Sequence, residues 1–162
     1  MWTVIEAPIG KLRLVEDHGA IVAIDFDPFG YADARLVGDR DDDVPVLVAC
    51  ARQLGEYFAG ARTRFELPLA PIGTPFQQKV WGELVQIGYG ETSTYGRIAG
   101  RLGLTGHGAR AVGLANGRNP IPVVIPCHRV IGSNGTLTGY AGGIERKQLL
   151  LDLERSKEDA LF

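Results

Sequence analysis

Hydrophobic positions change their rhythm twice along this chain. From Trp2 to Phe26, apolar and polar residues alternate in three short runs, Trp2 to Glu6, Lys11 to Glu16 and Ile21 to Phe26, separated by turn residues at Pro8-Ile9-Gly10 and His18-Gly19. A period of two places alternate side chains on opposite faces, so these runs predict a small antiparallel sheet. The stretch from Asp27 to Asp43 is acidic and rich in Gly and Asp, which predicts an exposed loop. After Pro45 the apolar residues Leu47, Cys50, Leu54, Tyr57 and Phe58 recur at helical spacing, giving one helix to cover the sheet.

Gly60 to Gly73, with Pro68 and Pro71, reads as a linker. It runs into a strong helix start: Thr74 fits the N-cap, Pro75 the first helical position and Gln77 the third, ahead of apolar Phe76, Val80, Trp81, Leu84 and Val85. Two short helical patterns follow, Thr94 to Leu102 and Gly108 to Asn116, joined by Gly103-Leu104-Thr105-Gly106-His107, an arrangement compatible with a helix-turn-helix. The second is rich in Ala109, Ala111, Gly113 and Ala115, which fits either close approach to a partner or tight packing inside the protein. A Pro-rich apolar strand, Ile121 to Pro126, a glycine-rich loop, Gly132 to Gly143, and a closing helix, Ile144 to about Arg155, complete the pattern. The expected class is α+β. Residues 1–73 form a support domain, a small antiparallel sheet with a covering helix; residues 74–162 form a mainly helical domain.

Length and composition narrow the function. With 162 residues, 45% of them hydrophobic, the chain can bury a core, and no apolar run approaches the roughly 18 to 20 residues of a membrane span. The first residues lack the basic start and apolar stretch of a secretory signal, so a cytoplasmic protein without membrane contact is expected. The net charge of −2 hides a lopsided distribution: residues 1–91 hold 8 Lys or Arg against 14 Asp or Glu, whereas residues 92–144 carry Arg97, Arg101, Arg110, Arg118 and Arg129 and no acid. That segment is a local footprint for phosphate.

Cys50 and Cys127 are too few for a disulfide framework, and His18, His107 and His128 show no metal-ligand spacing, so neither metal nor cofactor is expected. Cys50 sits in the apolar pattern of a helix and reads as a small core residue. Cys127 is followed by His128 and Arg129, neighbours of the kind that help a thiol to lose its proton, and Pro126 favours an irregular turn there.

The run Ile125-Pro126-Cys127-His128-Arg129-Val130 resembles the active-site motif of the O6-alkylguanine-DNA alkyltransferases. Phe76-Gln77-Gln78-Lys79-Val80-Trp81, Tyr89-Gly90-Glu91, Tyr95-Gly96, Ala109-Arg110-Ala111-Val112-Gly113, Asn119-Pro120 and Gly139-Tyr140-Ala141-Gly142-Gly143 match the family in the same order. The resemblance covers residues 74 to about 154, with a weaker echo before them. It implies irreversible, single-turnover transfer of a methyl or larger alkyl group from guanine O6 in DNA to Cys127, with the base flipped out of the duplex. In that scheme His128, acting through a water and oriented by Glu154, takes the thiol proton, Tyr95 donates to the departing guanine, and Asn119 shapes the cysteine turn. Arg110 fills the space the base vacates, on a recognition helix whose Ala109, Ala111 and Gly113 approach the duplex, with Thr94 and Ser133 as further DNA contacts. Tyr140, Val130, Ala141, Gly142 and Pro122 line the base pocket. Double-stranded DNA containing O6-alkylguanine is the implied partner, with no obligate protein partner and a monomer in solution.

Two departures from the family pattern stand out. Ala141 replaces a serine common in the family, and the spacing from Tyr95 to Arg110 is one residue longer than expected. Of the alternatives, a lesion sensor without transfer activity would lack the cysteine, and a Cys-His hydrolase gives no reason for the acid-free arginine segment. A transcriptional regulator would call for a further domain or cysteine cluster.

Overall fold

Three antiparallel strands form where the alternation predicts them: β1 (Trp2–Ile5), β2 (Leu12–Asp17) and β3 (Ala20–Phe26), in spatial order β1-β2-β3. The computed structural model describes residues 1–30, 34–137, 140 and 142–159. By contact density it divides into Met1–Ile72 with Pro120–Pro122, and Gly73–Asn119 with Val123–Phe162.

In the N-terminal unit, helix α2 (Pro45–Phe58) lays its fully buried Leu47, Cys50, Leu54 and Tyr57 stripe toward the sheet. The expected loop before it is exposed along most of its described residues, yet it carries structure of its own. A short helix, α1 (Ala34–Val37), brings Val37 onto a cluster of Val15, Val22 and Ala23 together with Trp2. Backbone bonds from Trp2 N to Asp39 O (3.0 Å) and from Asp41 N to Trp2 O (2.9 Å) then run this segment along β1. Few apolar residues in the loop announced this, because the apolar surface being covered belongs to the strands. The expected linker is likewise pinned. Gln53, buried on α2, donates to Glu66 O (3.0 Å) and accepts from Glu66 N (2.8 Å), and Ile21 bonds both Pro68 and Ala70.

In the C-terminal unit, α3 (Pro75–Leu84) starts with the capping box anticipated from sequence: Gln77 N donates to Thr74 Oγ1 (3.1 Å) and Thr74 N to Gln77 Oε1 (2.9 Å), satisfying two N-terminal amides. Trp81 donates its indole N–H to Ala115 O (2.9 Å), tying α3 to α5 (Gly108–Gly117). Helix α4 (Tyr95–Arg101) is capped by Thr94 Oγ1, which accepts from Arg97 N (3.1 Å), and packs against α5 as a helix-turn-helix. Its turn uses Gly103 at φ 72°, and Gly108 lies so close that a Cβ there would stand 2.6 Å from Leu104 Cβ. A two-residue parallel ladder, β4 (Ser93–Thr94) with β5 (Val130–Ile131), fixes the start of α4 beside the segment following Cys127. Helix α6 (Ile144–Asp159) closes the unit, extending past the expected end near Arg155.

The expected strand from Ile121 to Pro126 does not form; the chain turns there, with Val123 at φ 73°. Pro122 and Pro126 have no N–H to offer a ladder, and a β-branched residue in the left-handed region breaks the extended path. The residues are apolar because they are buried: Ile121, Val123, Val124 and Ile125 are at most 8% exposed. Among the described residues no helix is long and apolar enough to cross a membrane.

Candidate active site

Cys127 opens a single 3-10 turn, Cys127–Arg129. Pro126 (φ −82°, ψ 63°) sits in an inverse γ-turn, with Cys127 N donating to Ile125 O at 2.8 Å, and this bend is the irregular turn the proline predicted. Two asparagines brace it: Asn119 Nδ2 donates to Ile125 O (2.8 Å) and Asn116 Nδ2 to Cys127 O (3.3 Å). Asn116 was not singled out from sequence, where it is one more polar residue near a helix end.

The turn sends its three side chains to different tasks. Cys127 is 5% exposed, and burial pushes its thiol up to about 11, opposed by the Asn119 side chain, the Lys147 charge and nearby backbone donors. At neutral pH the resting thiol is therefore held protonated. His128 is fully buried, and burial lowers its pKa despite the hydrogen bond to Glu154, so the ring is neutral. Its Nε2 lies 2.7 Å from Glu154 Oε2.

Glu154 decides the tautomer. Burial alone would raise its pKa, but hydrogen bonds from His128 and Arg129 outweigh that and hold it at about 2. An ionised carboxylate only accepts, so Nε2 of His128 must carry the proton and Nδ1 keeps its lone pair. Nδ1 is buried and has no partner among the described residues. A neutral imidazole with an available lone pair has the chemistry of a base, and His128 adjoins Cys127 along the chain.

Arg129 corrects the phosphate footprint drawn from sequence. It is 6% exposed and forks onto Glu154, with Nε to Oε1 at 2.8 Å and Nη2 to Oε2 at 3.0 Å, while Nη1 donates to Ile87 O at 2.7 Å. Gly90 N adds a fourth donor to Glu154 at 3.2 Å. Arg101 is also engaged, with Glu83 at 2.6 Å. Of the five arginines in the acid-free segment, Arg97, Arg110 and Arg118 remain exposed without a side-chain partner among the described residues; Arg97 lies on α4, Arg110 on α5 and Arg118 just past the end of α5.

The other anticipated residues spread around this centre. Tyr140 is buried, and burial together with the Cys127 charge raises its phenol well above the ordinary value. Val130 is buried and its carbonyl accepts from Lys147 Nζ at 2.6 Å. Gly142 is buried and its carbonyl accepts from Arg146 (3.1 Å). Pro122 groups with the N-terminal unit. Ser133, Ala109 and Arg110 are exposed and Ala111 is half-buried. A Cβ on Gly113 would lie 3.7 Å from the Tyr95 ring, an ordinary contact, so Gly113 faces α4 but packing there does not demand a glycine. Thr94 spends its hydroxyl on the α4 cap. Ala141 lies outside the described residues. Lys147 went unnoticed in the sequence as one of many charges on the closing helix, yet it is fully buried and its pKa is lowered by burial to about 8. Among the described residues no three His, Cys, Asp or Glu gather to hold a metal ion.

Two family models match the chain: the DNA-binding domain of 6-O-methylguanine DNA methyltransferase over residues 75–156, and the ribonuclease-like domain of the same protein over residues 1–71. The methylated-DNA--protein-cysteine methyltransferase of Mycobacterium tuberculosis is 46% identical over 156 residues, covering 96% of this chain and 93% of that one. The constitutive enzyme of that name from Bacillus subtilis is 44% identical over 157 residues, covering 95% and 94%. The crystal structure of Mycobacterium tuberculosis OGT in complex with DNA superposes with a TM-score of 0.85 at 44% identity, covering 96% and 93%.

Proposed function

The chain belongs to the 6-O-methylguanine DNA methyltransferase family, and from that premise we propose which of its atoms carry the reaction. The activity is DNA repair by direct alkyl transfer to a protein cysteine, and DNA is the partner. In our reading the acceptor is Sγ of Cys127 and the substrate is duplex DNA carrying O6-alkylguanine. Cys50 is the poorer candidate: burial lifts its thiol to about 12, and among the described residues no charge or hydrogen bond opposes that shift as it does at Cys127.

The thiol proton leaves through a water to Nδ1 of His128, whose other nitrogen is anchored on Glu154. Sγ then attacks the alkyl carbon in line, the carbon–O6 bond breaks, and its electron pair departs with the guanine, whose ring accepts a hydrogen bond from the Tyr95 hydroxyl. Lys147 holds the Val130 carbonyl and favours the thiolate with its charge. The product is a thioether, a sulfur with no easy leaving group, so one molecule repairs one lesion. Arg110, at the exposed start of α5, enters the duplex where the base has left, at a cost of roughly a few kcal/mol for unstacking. The protein acts as a monomer.

The observation that carries this reading is the buried Nδ1, without a partner among the described residues, of a His whose tautomer Glu154 dictates, one residue from a buried thiol. To test it, the protein is mixed with an oligonucleotide duplex containing O6-methylguanine and digested for mass spectrometry. A methyl mass on Cys127 with one lesion repaired per molecule is expected. Methylation of Cys50 instead, no methylation, or turnover beyond one lesion would overturn it.

A further inference from the structure

The chain has three asparagines, Asn116, Asn119 and Asn134, and all of them fall in the segment that carries arginines and no acid. An asparagine followed by glycine is chemically labile, because the next backbone nitrogen can attack the side-chain carbonyl and glycine has no Cβ to obstruct the approach. Asn119 precedes Pro120, which has no N–H to give up. Asn116-Gly117 and Asn134-Gly135 share the labile dipeptide, and the fold places them in opposite circumstances.

Asn116 is 1% exposed and lies in α5, with Gly117 as the last residue of that helix. Its Nδ2, the group that would leave, is committed to Cys127 O (3.3 Å), and ring closure would have to pull the backbone out of its helical ψ. No donor among the described residues polarises its Oδ1. Asn134 is exposed, in the turn of residues 132–135 that follows β5, with Gly135 at φ 82°. Its Oδ1 accepts from Thr136 Oγ1 (2.7 Å) and Thr136 N (3.2 Å), two donors that draw electrons from Cγ and stabilise charge on that oxygen under attack. The Gly135 N–H donates to Gly132 O (2.9 Å), a single bond closing an exposed turn, which surface fluctuations open at little cost.

We propose that Asn134 is a site of spontaneous deamidation, through which the protein acquires a carboxylate inside its acid-free arginine segment. Gly135 N loses its proton to solvent and bonds to Cγ of Asn134, the Cγ–Nδ2 bond breaks, and ammonia departs with a proton from solvent. Water then opens the succinimide ring at either carbonyl, leaving Asp or its β-linked isomer, so one water is consumed and one ammonia released. The turn directly follows the strand that pairs with Thr94, the cap of α4. On the alkyl-transfer reading, on which this consequence rests, duplex phosphates meet the arginines of that helix-turn-helix, and a new negative charge beside it opposes them. Deamidation thus weakens the hold on DNA while the cysteine is still unspent.

The test holds the purified full-length protein in mildly alkaline buffer for days, with and without urea, and maps its peptides by mass spectrometry at intervals. In the native protein the Asn134 peptide is expected to gain the mass difference between amide and acid about tenfold faster than the Asn116 peptide, and in urea the two rates should converge. Comparable native rates, or no gain at Asn134, overturn the proposal. Rates that stay about tenfold apart in urea assign the difference to neighbouring residues, and the argument from the fold falls with them. Asn134→Asp, the product made directly, is expected to bind an undamaged duplex about fivefold more weakly at low salt, with the gap closing as salt rises. It should react with free O6-benzylguanine as the wild type does, since Thr136 is the partner its side chain holds. Duplex binding as tight as the wild type's overturns the consequence for DNA, and failure of the wild type to methylate Cys127 removes the underlying reading instead.

Discussion

Replacing Glu154 by Gln should change how acid unfolds this protein. The carboxyl is 1% exposed and held at about 2 against an ordinary value of 4.5, a difference of about 2.5 units or about 3 kcal/mol of stability. Because the folded pKa is the lower one, this contribution is fully present above pH 4.5 and is lost as pH falls toward 2. Integrating the two titrations from pH 7 to pH 3 gives about 2 kcal/mol. Glu154→Gln removes the titration and leaves Arg129 buried opposite a neutral amide, so at pH 7 it should cost about 3 to 5 kcal/mol, the range for breaking a buried pair from one side. The assay is urea unfolding at pH 7 and pH 3, followed by the fluorescence of buried Trp81 beside that of Trp2. The wild type should lose about 2 kcal/mol through this carboxyl that the variant does not; carboxyls away from Glu154 cancel in the comparison, and pairing each protein with its His128→Asn counterpart removes the coupled imidazole from it. Equal losses for both proteins would show that Glu154 is not depressed, and the tautomer assigned to His128 would lose its basis.

Lys147→Met should move the pH–rate profile for reaction with O6-benzylguanine to higher pH, because a cation that favours the Cys127 thiolate is gone. An unmoved profile would confine Lys147 to holding the Val130 carbonyl. Gly108→Ala should destabilise by about 1 to 3 kcal/mol, since the new Cβ would stand 2.6 Å from Leu104 Cβ and the turn between α4 and α5 must open. Urea unfolding checks the loss, and weakened duplex binding with retained reaction toward the free base would place the damage in the helix-turn-helix.

Much of this protein was legible because the forces concerned act over a few residues. The alternation of Trp2 to Phe26 drew the sheet, and the Thr74 and Gln77 pair drew the start of α3, since both partners of that capping box lie within one turn. Pro126 announced a bend through its own fixed φ, and the order of motifs around Cys127 pointed to the family before any coordinates. Where the reading failed, the deciding feature lay outside the pattern of apolar positions. Ile121 to Pro126 looked like a strand because burial makes any segment apolar, while the absent donors and the left-handed Val123 decide its path. The stretch before Pro45 looked like a free loop because the apolar surface it covers lies on β2 and β3.

The chain's local order was thus enough for the class of fold and the acid-free helix-turn-helix, and it singled out Cys127 and His128 as the candidate nucleophile and base. Only the tertiary structure decided what each charge is for. Arg129 adjoins Cys127 in sequence and turns inward to Glu154, 25 residues away; Lys147 sits among surface charges and points to a buried carbonyl; Arg110 and Arg118 are left without partners among the described residues. Sequence sets the spacing of charges along the chain. Their pairing depends on which atoms remain within about 3 Å once the core has closed, a distance that no local pattern encodes.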